Sequence, residues 1–409
     1  MELLFVTSNV PYPPIDGWRI RVFALIRHLA RSYRISLVSF IRTTDDRTAV
    51  EGLRNYCAEV RLIPRNPLYS PWKLVRGLVG STAFPILSYW DSRMAATIQS
   101  MLNVRRFDLV QAESLQMAQY CTNLAIPTVL DLHNIESLVM KRYAKFERNP
   151  LKQRYANLTS AKLAAYERQI CGRFSRCLTC SEDDRDRLRE LTGVDRTAVI
   201  PNGVDLEAFQ PDTASQSRGQ KILFVGKMDY HANVDGMRWF CQEVFPLLRR
   251  NRSDLVLQIV GADPTEEVRK LAVPGQVEVT GFVEDTRPFL REATVVVVHL
   301  RVGGGTRLKL LEAFAMGKAV VSTTVGAEGI VATPDKEILL ADDPRGFAEQ
   351  TEKVLVNREL RAGLGIAARR FVEIRHDWET IASRLSDVYD ECLAAPRNMS
   401  VPVDSSRSW

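Results

Sequence analysis

Apolar residues fall into short blocks along the chain, and the blocks alternate with stretches of helical period. Residues 2–8 read as a short strand, 9–17 with their three prolines as a loop, 18–32 as a helix and 34–40 as the next strand. Strand, loop, helix, strand in this rhythm predicts a parallel sheet. Further strands are predicted at 107–111, 127–132, 177–180 and 198–200, with helical pattern filling 138–174. Ser181 would cap the next helix, with Asp184 where the Glu or Gln of a capping box usually stands. The polar residues 212–219 read as a linker. A second α/β rhythm starts at Lys221, with strands at 222–225, 255–260, 277–280, 294–298 and 319–323. Its helices are predicted at 235–250, 265–271, 286–291, 306–316, 344–356 and 359–393. Residues 396–409 are polar and expected to be disordered.

The chain has 409 residues, too many for one ordinary core, so two domains are expected. Apolar content of 45% and charged content of 25% are those of a soluble globular protein. The formal net charge of +6 is unevenly split. Residues 1–200 carry 29 Lys and Arg against 19 Asp and Glu; residues 201–409 carry 26 against 30. A basic first half suits an anionic membrane surface or an anionic acceptor. No nucleic-acid module is recognisable, so nucleic acid is not an expected partner. Seven scattered cysteines suggest free thiols in a reducing compartment, and Cys177 and Cys180 have CxxC spacing without a second metal-binding pair. Neither a signal peptide nor an apolar run of about 20 residues is visible, so a cytoplasmic location, at most peripheral on a membrane, is expected.

The chemistry concentrates between Thr294 and Gly317. The run Val295-Val296-Val297-Val298 reads as a strand buried on both faces. Gly303, Gly304 and Gly305 follow and permit a sharp turn and close approach to a ligand. The helix predicted next would end at Gly317. Strand, glycine turn and helix point free N–H groups and a positive helix end at one spot, which suits a phosphate. Arg307 and Lys309 add cations, and Glu312 can accept hydrogen bonds from two ribose hydroxyls. Taken alone, the same residues read equally well as a tight loop and a solvated helix face. The pattern is not a P-loop, because no Gly-Lys-Ser/Thr follows at the required spacing. The first strand's turn lacks GxGxxG, which argues against a nicotinamide or flavin dinucleotide there. His133 stands at the carboxyl end of a predicted strand, where open α/β sheets bind ligands; a histidine satisfied by a loop carbonyl is the plain alternative.

Four blocks in order carry a family resemblance. They are Pro201-Asn202-Gly203-Val204-Asp205, Phe224-Val225-Gly226-Lys227-Met228-Asp229-Tyr230, Thr280-Gly281-Phe282-Val283-Glu284-Asp285 and Gly303-Gly304-Gly305-Thr306-Arg307-Leu308-Lys309-Leu310-Leu311-Glu312-Ala313. To about Leu393 the chain resembles the retaining glycosyltransferases of family four, with the GT-B fold, and within them the bacterial sugar transferases of exopolysaccharide clusters. The resemblance implies an α/β protein of two Rossmann-like domains facing a cleft: residues 1–200 for the acceptor, 201–372 for a sugar nucleotide, and a crossover helix at 373–393. It implies a nucleoside-diphosphate sugar as donor, with no cofactor and no metal.

Residue by residue, the resemblance places Glu312 on the ribose hydroxyls and Lys227 where the family usually has a phosphate-binding Arg. It places Phe282 and Val283 at the base, Gly17 near the donor phosphates and His133 beside the transferred sugar. Gly305, Thr306, Arg307 and Lys309 join Gly17 and Lys227 in stabilising the leaving diphosphate. Two departures stand out. Gly304 replaces a glutamate that would contact sugar hydroxyls, and as donor-binding residues Gly304 to Thr306 would make that contact, or hold the β-phosphate, through backbone N–H groups; His231-Ala232-Asn233 occupies the place of a second cation. His299 stands where Pro is commonplace. A scaffold that binds nucleotide or glycan without turnover, and a sugar-nucleotide epimerase, are the alternatives. The acceptor expected is a glycan or polyprenyl-linked glycan. Residues 66–90, with Tyr69, Trp72, Lys73, Arg76, Phe84, Tyr89 and Trp90, read either as a membrane-facing segment or as one packed on its own domain.

Overall fold

The computed structural model describes residues 1–42, 49–65, 70–122, 124–147, 149–211, 220–250, 252–302 and 307–394. Two parallel sheets organise them. The first contains β1 (Glu2–Thr7), β2 (Arg34–Ile41), β3 (Cys57–Pro64), β4 (Leu109–Glu113), β5 (Thr128–Leu132), β6 (Arg176–Thr179) and β7 (Thr197–Val199), in the order β3-β2-β1-β4-β5-β6-β7. The second contains β8 (Lys221–Val225), β9 (Val256–Val260), β10 (Val277–Val279), β11 (Val295–Val298), β12 (Val320–Ser322) and β13 (Leu339–Leu340), in the order β10-β9-β8-β11-β12-β13. In each sheet the winding reverses beside the first strand, and ligands of open α/β sheets bind outside the carboxyl ends at such a point.

Side-chain alternation along β1 feeds two cores. Leu3 and Phe5 pack on one face with Leu25 and Leu385, while Leu4 and Val6 pack on the other with Ile98 and Leu130. β11 is buried throughout, as expected for a central strand covered on both faces. Its neighbours β8 and β12 add Ile222, Leu223, Phe224, Val320 and Val321, so one continuous core fills the second domain.

Several elements depart from the pattern-based expectation. β3 was not anticipated because polar Glu59 and Arg61 interrupt it, and it lies at the sheet edge. β13 has two residues, too few to show a period. The helix expected over 235–250 is His231–Trp239, a π turn at Phe240–Val244, then Phe245–Arg249. Pro246 explains the break: it has no N–H to donate and its ring crowds the preceding turn. The pattern over 138–174 is likewise two helices, Glu136–Phe146 and Pro150–Cys171, and Asn149 caps the second by accepting from the N–H groups of Leu151 and Lys152.

The single helix expected over 359–393 is divided into Arg358–Arg375 and Trp378–Ala394. The break is held by His376. Its carbonyl accepts from the Val204 N–H at 2.8 Å, and its Nδ1 lies 2.7 Å from the Asn202 carbonyl. The Trp378–Ala394 helix then packs on the first sheet, where Ile381, Leu385 and Tyr389 share a core with Leu3 and Phe5.

Candidate functional site

The carboxyl edge of the first sheet brings charges together. Parallel register sets Thr7 beside Glu113 and Glu113 beside Asp131. Arg21, from the Gly17–Leu29 helix, is 1% exposed and grips Asp131 with Nε at 3.0 Å and Nη2 at 2.9 Å. Its Nη1 donates to the Pro201 carbonyl at 3.1 Å and to Asn202 Oδ1 at 3.0 Å. The guanidinium so ties the first sheet to the segment that leads into the second domain. Beside it, His133 Nε2 lies 2.9 Å from Glu113 Oε2, and the Trp18 ring stands 6.1 Å from the imidazole.

The second wall is the Leu308–Ala315 helix, with Arg307 as its N-cap residue and Gly317 ending it at φ +65°. Glu312 and Lys309 are three residues apart and so share one face. Burial pushes the Glu312 carboxyl up to about 7, against the pull of Lys309. Burial pushes the Lys309 ammonium down to about 7, aided by Arg307 and opposed by Glu312. Lys309 Nζ is 3.0 Å from Asn233 Oδ1 and 4.1 Å from the centre of the Phe224 ring. Asn233 in turn donates to the Lys227 carbonyl at 2.6 Å. The place where the resemblance left a second cation missing is thereby reached by Lys309 from another helix. A Cβ on Gly226 would stand 2.6 Å from Lys309 Nζ, so glycine at this position lets the ammonium lie against the backbone. Arg307 is buried, which lowers its pKa, while Tyr230 and Glu328 raise it. Lys227 is half exposed and engaged by Asp229 at 3.0 Å and Asp263 at 3.5 Å, contacts that raise its pKa.

The two walls meet. A Cβ on Gly17 would lie 3.4 Å from Leu308 Cδ1, so the first helix of one domain touches the first turn of the Leu308–Ala315 helix of the other. The Tyr143 and His231 rings stand 5.8 Å apart. Arg142 holds Glu328 through both carboxylate oxygens at 2.7 and 2.8 Å, and Arg187 joins at 2.9 Å. Both arginines come from helices of the first domain, and Glu328 from the loop after β12. A partly exposed ion pair adds about 0–1 kcal/mol. Glu328→Ala is therefore expected to leave the melting temperature within a few degrees but to loosen the closed arrangement. Small-angle scattering should show an increased radius of gyration, and an unchanged radius would contradict the latch.

Of the residues singled out from the sequence, Gly17, Lys227, Arg307, Lys309 and Glu312 line the two walls, and His133 lies on the first-sheet side. Gly304, Gly305 and Thr306 lie outside the described residues, as do Tyr69, linker 212–219 and the tail from 395. Phe282 is 72% exposed and Val283 is half buried, on the loop after β10. His299 is fully buried between Phe224 and Phe240, which drives its pKa well down, and it packs in the core. Cys177 and Cys180 are free and buried. Arg21, Glu113, Asn233, Arg142, Arg187 and Glu328 were missed. Their contacts join separate elements, across 20 positions for Glu113 with His133, 76 for Asn233 with Lys309 and 110 or more for the arginines, and only the position of an Arg on an otherwise apolar helix face hinted at any of them.

Two family models match. Residues 15–208 match Glycosyltransferase Family 4, and residues 219–357 match Glycosyl transferases group 1. An uncharacterized 44.6 kDa protein of the cps region of Klebsiella pneumoniae is 20% identical over 398 residues, covering 94% of this chain and 98% of that one. A D-inositol 3-phosphate glycosyltransferase of Frankia alni is 30% identical over 231 residues; the match covers 49% of this chain and 55% of that protein. Among solved structures, the sucrose-phosphate synthase of Thermosynechococcus elongatus aligns with TM-score 0.73 at 18% identity over 97% of this chain and all of that one. HepE of Anabaena, in complex with UDP, aligns with TM-score 0.66 at 15% identity over 96% of this chain and all of that one.

Proposed function

The chain is a glycosyltransferase of the family those two models describe, with the GT-B fold, and from that premise we propose that it takes a sugar from a nucleoside-diphosphate sugar with retention of configuration. The acceptor is a glycan or polyprenyl-linked glycan of cell-surface polysaccharide synthesis. The approach of Gly17 to Leu308 carries this reading, because it sets the first helix of one domain against the first turn of the helix that bears Lys309 and Glu312, a cation suited to a diphosphate and a carboxylate suited to ribose.

The chemistry follows from charge. As the bond between the anomeric carbon and the β-phosphate oxygen breaks, negative charge grows on the diphosphate. Cations fixed beforehand in a site shielded from water stabilise that charge best. Arg307, Lys309 and Lys227 supply them, and Lys227 would exchange its carboxylate partners for phosphate. No suitably paired carboxylates for a double displacement are evident in the sequence. The acceptor hydroxyl instead attacks from the face the phosphate leaves, and its proton passes to the leaving phosphate oxygen. Glu312 holds the ribose, and Phe282 and Val283 meet the base.

The test is a panel of sugar nucleotides with purified protein, reading released nucleoside diphosphate with and without bacterial lipid extract. Release from one donor, lost in Arg307→Ala, is the expected result. Nucleotide binding without release would favour a binding scaffold, and an isomerised sugar nucleotide without acceptor would favour an epimerase.

Membrane contact belongs to the same reading. On the Pro71–Val79 helix, Trp72 is 69% and Val79 84% exposed, and Val75 between them is also exposed. Positions i, i+3 and i+7 form one apolar face, with Lys73 and Arg76 beside it on a basic first domain. No helix among the described residues is long and apolar enough to cross a membrane. Replacing Trp72 and Val79 by Ser is expected to abolish pelleting with vesicles rich in anionic phospholipid; unchanged pelleting would count against this surface.

A further inference from the structure

Glu113 has no role in the reading so far, yet it sits directly behind His133. It is fully buried at the end of β4, and its two oxygens are divided between two partners. Oε2 faces His133 Nε2 at 2.9 Å. Oε1 accepts from Gln111 Nε2 at 2.6 Å. Gln111 is itself fixed: its Oε1 accepts from the hydroxyl of Tyr389, on the helix that returns from the second domain. Gln111 and Tyr389 are fully buried as well. The other carboxylate of the cluster, Asp131, is taken by Arg21 and so does not compete for the imidazole.

Donor and acceptor logic decides the histidine's state. A carboxylate only accepts hydrogen bonds, so the nitrogen facing it must carry the proton. His133 is thus held with hydrogen on Nε2. In the neutral ring this leaves Nδ1 as the acceptor.

We propose that Glu113 is a positioning residue that fixes the Nε2–H tautomer of His133, so that Nδ1 accepts a hydrogen bond from a hydroxyl of the transferred sugar. The proposal rests on the glycosyltransferase reading for the sugar and on the geometry alone for the tautomer. The same chain of bonds dictates what the amide variant does. In Glu113→Gln, with Gln111 keeping its bond from the Tyr389 hydroxyl, the group facing Gln111 Nε2 is still an acceptor, so the amide oxygen stays there. The new NH2 then faces His133, and Nε2 has to become the acceptor. The tautomer flips, although the variant differs in shape by almost nothing.

The experiment is two-bond 1H–15N correlation NMR on histidine-labelled protein. The chain has five histidines, so His133 is assigned by its loss in His133→Asn. Wild type is expected to show Nε2–H, Glu113→Asp to keep it, and Glu113→Gln to show Nδ1–H. In the donor panel, Glu113→Gln should lower turnover on the order of 10-fold or more, with nucleotide affinity little changed. An Nδ1–H ring in the wild type overturns the proposal, as does the same tautomer in wild type and a folded Glu113→Gln. Should Glu113→Gln fail to fold, the wild-type and Glu113→Asp spectra decide alone: Nε2–H in both supports the proposal, and Nδ1–H in either overturns it. A wild type with no turnover would sink the transferase reading and leave the tautomer result standing.

Discussion

Glu312→Ala is expected to weaken nucleoside-diphosphate binding by at least about 100-fold. Two ribose hydroxyls donating to one carboxylate make two hydrogen bonds to a charged group, each worth about 1.5–3 kcal/mol. Their joint loss is about 3–6 kcal/mol, and 1.4 kcal/mol is tenfold. Calorimetric titration with UDP and GDP measures it. A loss below about fivefold would remove Glu312 from the ribose site.

The same side chain gives the binding a pH signature. The Glu312 carboxyl is pushed up to about 7, so ribose, which binds the ionised form, is held better as pH rises through about 7. The Lys309 ammonium is pushed down to about 7, so diphosphate, which binds the charged form, is held worse as pH rises through the same value. Affinity should therefore peak near neutrality, with Glu312→Gln flattening the acid limb and Lys309→Met the alkaline limb. Folding stability runs the opposite way. Between 4.5 and about 7 the folded state holds the Glu312 proton that the unfolded state has lost, so stability falls as pH rises. Between about 7 and 10.5 the unfolded state holds the Lys309 proton that the folded state has lost, so stability rises. The site is thus least favourable to the empty fold where it binds best, and Glu312→Gln should melt higher than wild type at pH 7.

Arg21→Met is expected to destabilise the first domain by about 3–5 kcal/mol, because it leaves a fully buried Asp131 carboxylate without its counter-ion. Two acceptors at the domain junction, the Pro201 carbonyl and Asn202 Oδ1, lose their donor as well. For a domain of this size each kcal/mol shifts the midpoint by roughly 2–4 °C. The double variant Arg21→Met/Asp131→Leu should recover most of the loss, since replacing a buried pair by apolar groups is often neutral. Urea unfolding of the three proteins tests this, and a single-variant loss under about 1 kcal/mol would show that Asp131 finds another partner.

The sequence by itself determined the class of fold and the stretch where the chemistry lies. Continuous apolar runs such as 295–298 can be buried only between layers, and their alternation with helical periods leaves few arrangements besides parallel sheets. Glycine turns and cations next to such a run were visible because they are local. So was Ser181, whose hydroxyl accepts from the Asp184 N–H at 3.1 Å. Where a single residue interrupts a periodic stretch, as at Pro246 and Asn149-Pro150, the run of pattern outweighed the breaker.

Tertiary structure alone decided how the site is held. Arg21 meets Asp131 across 110 positions, Tyr389 meets Gln111 across 278, and Arg142 meets Glu328 across 186. Nothing in the neighbourhood of any one of these residues marks its partner. A buried charge or amide must find a complement somewhere, but the sequence states only the need. Parallel register and the return of the last helix place the complement, and those are products of the packed cores rather than of any local pattern.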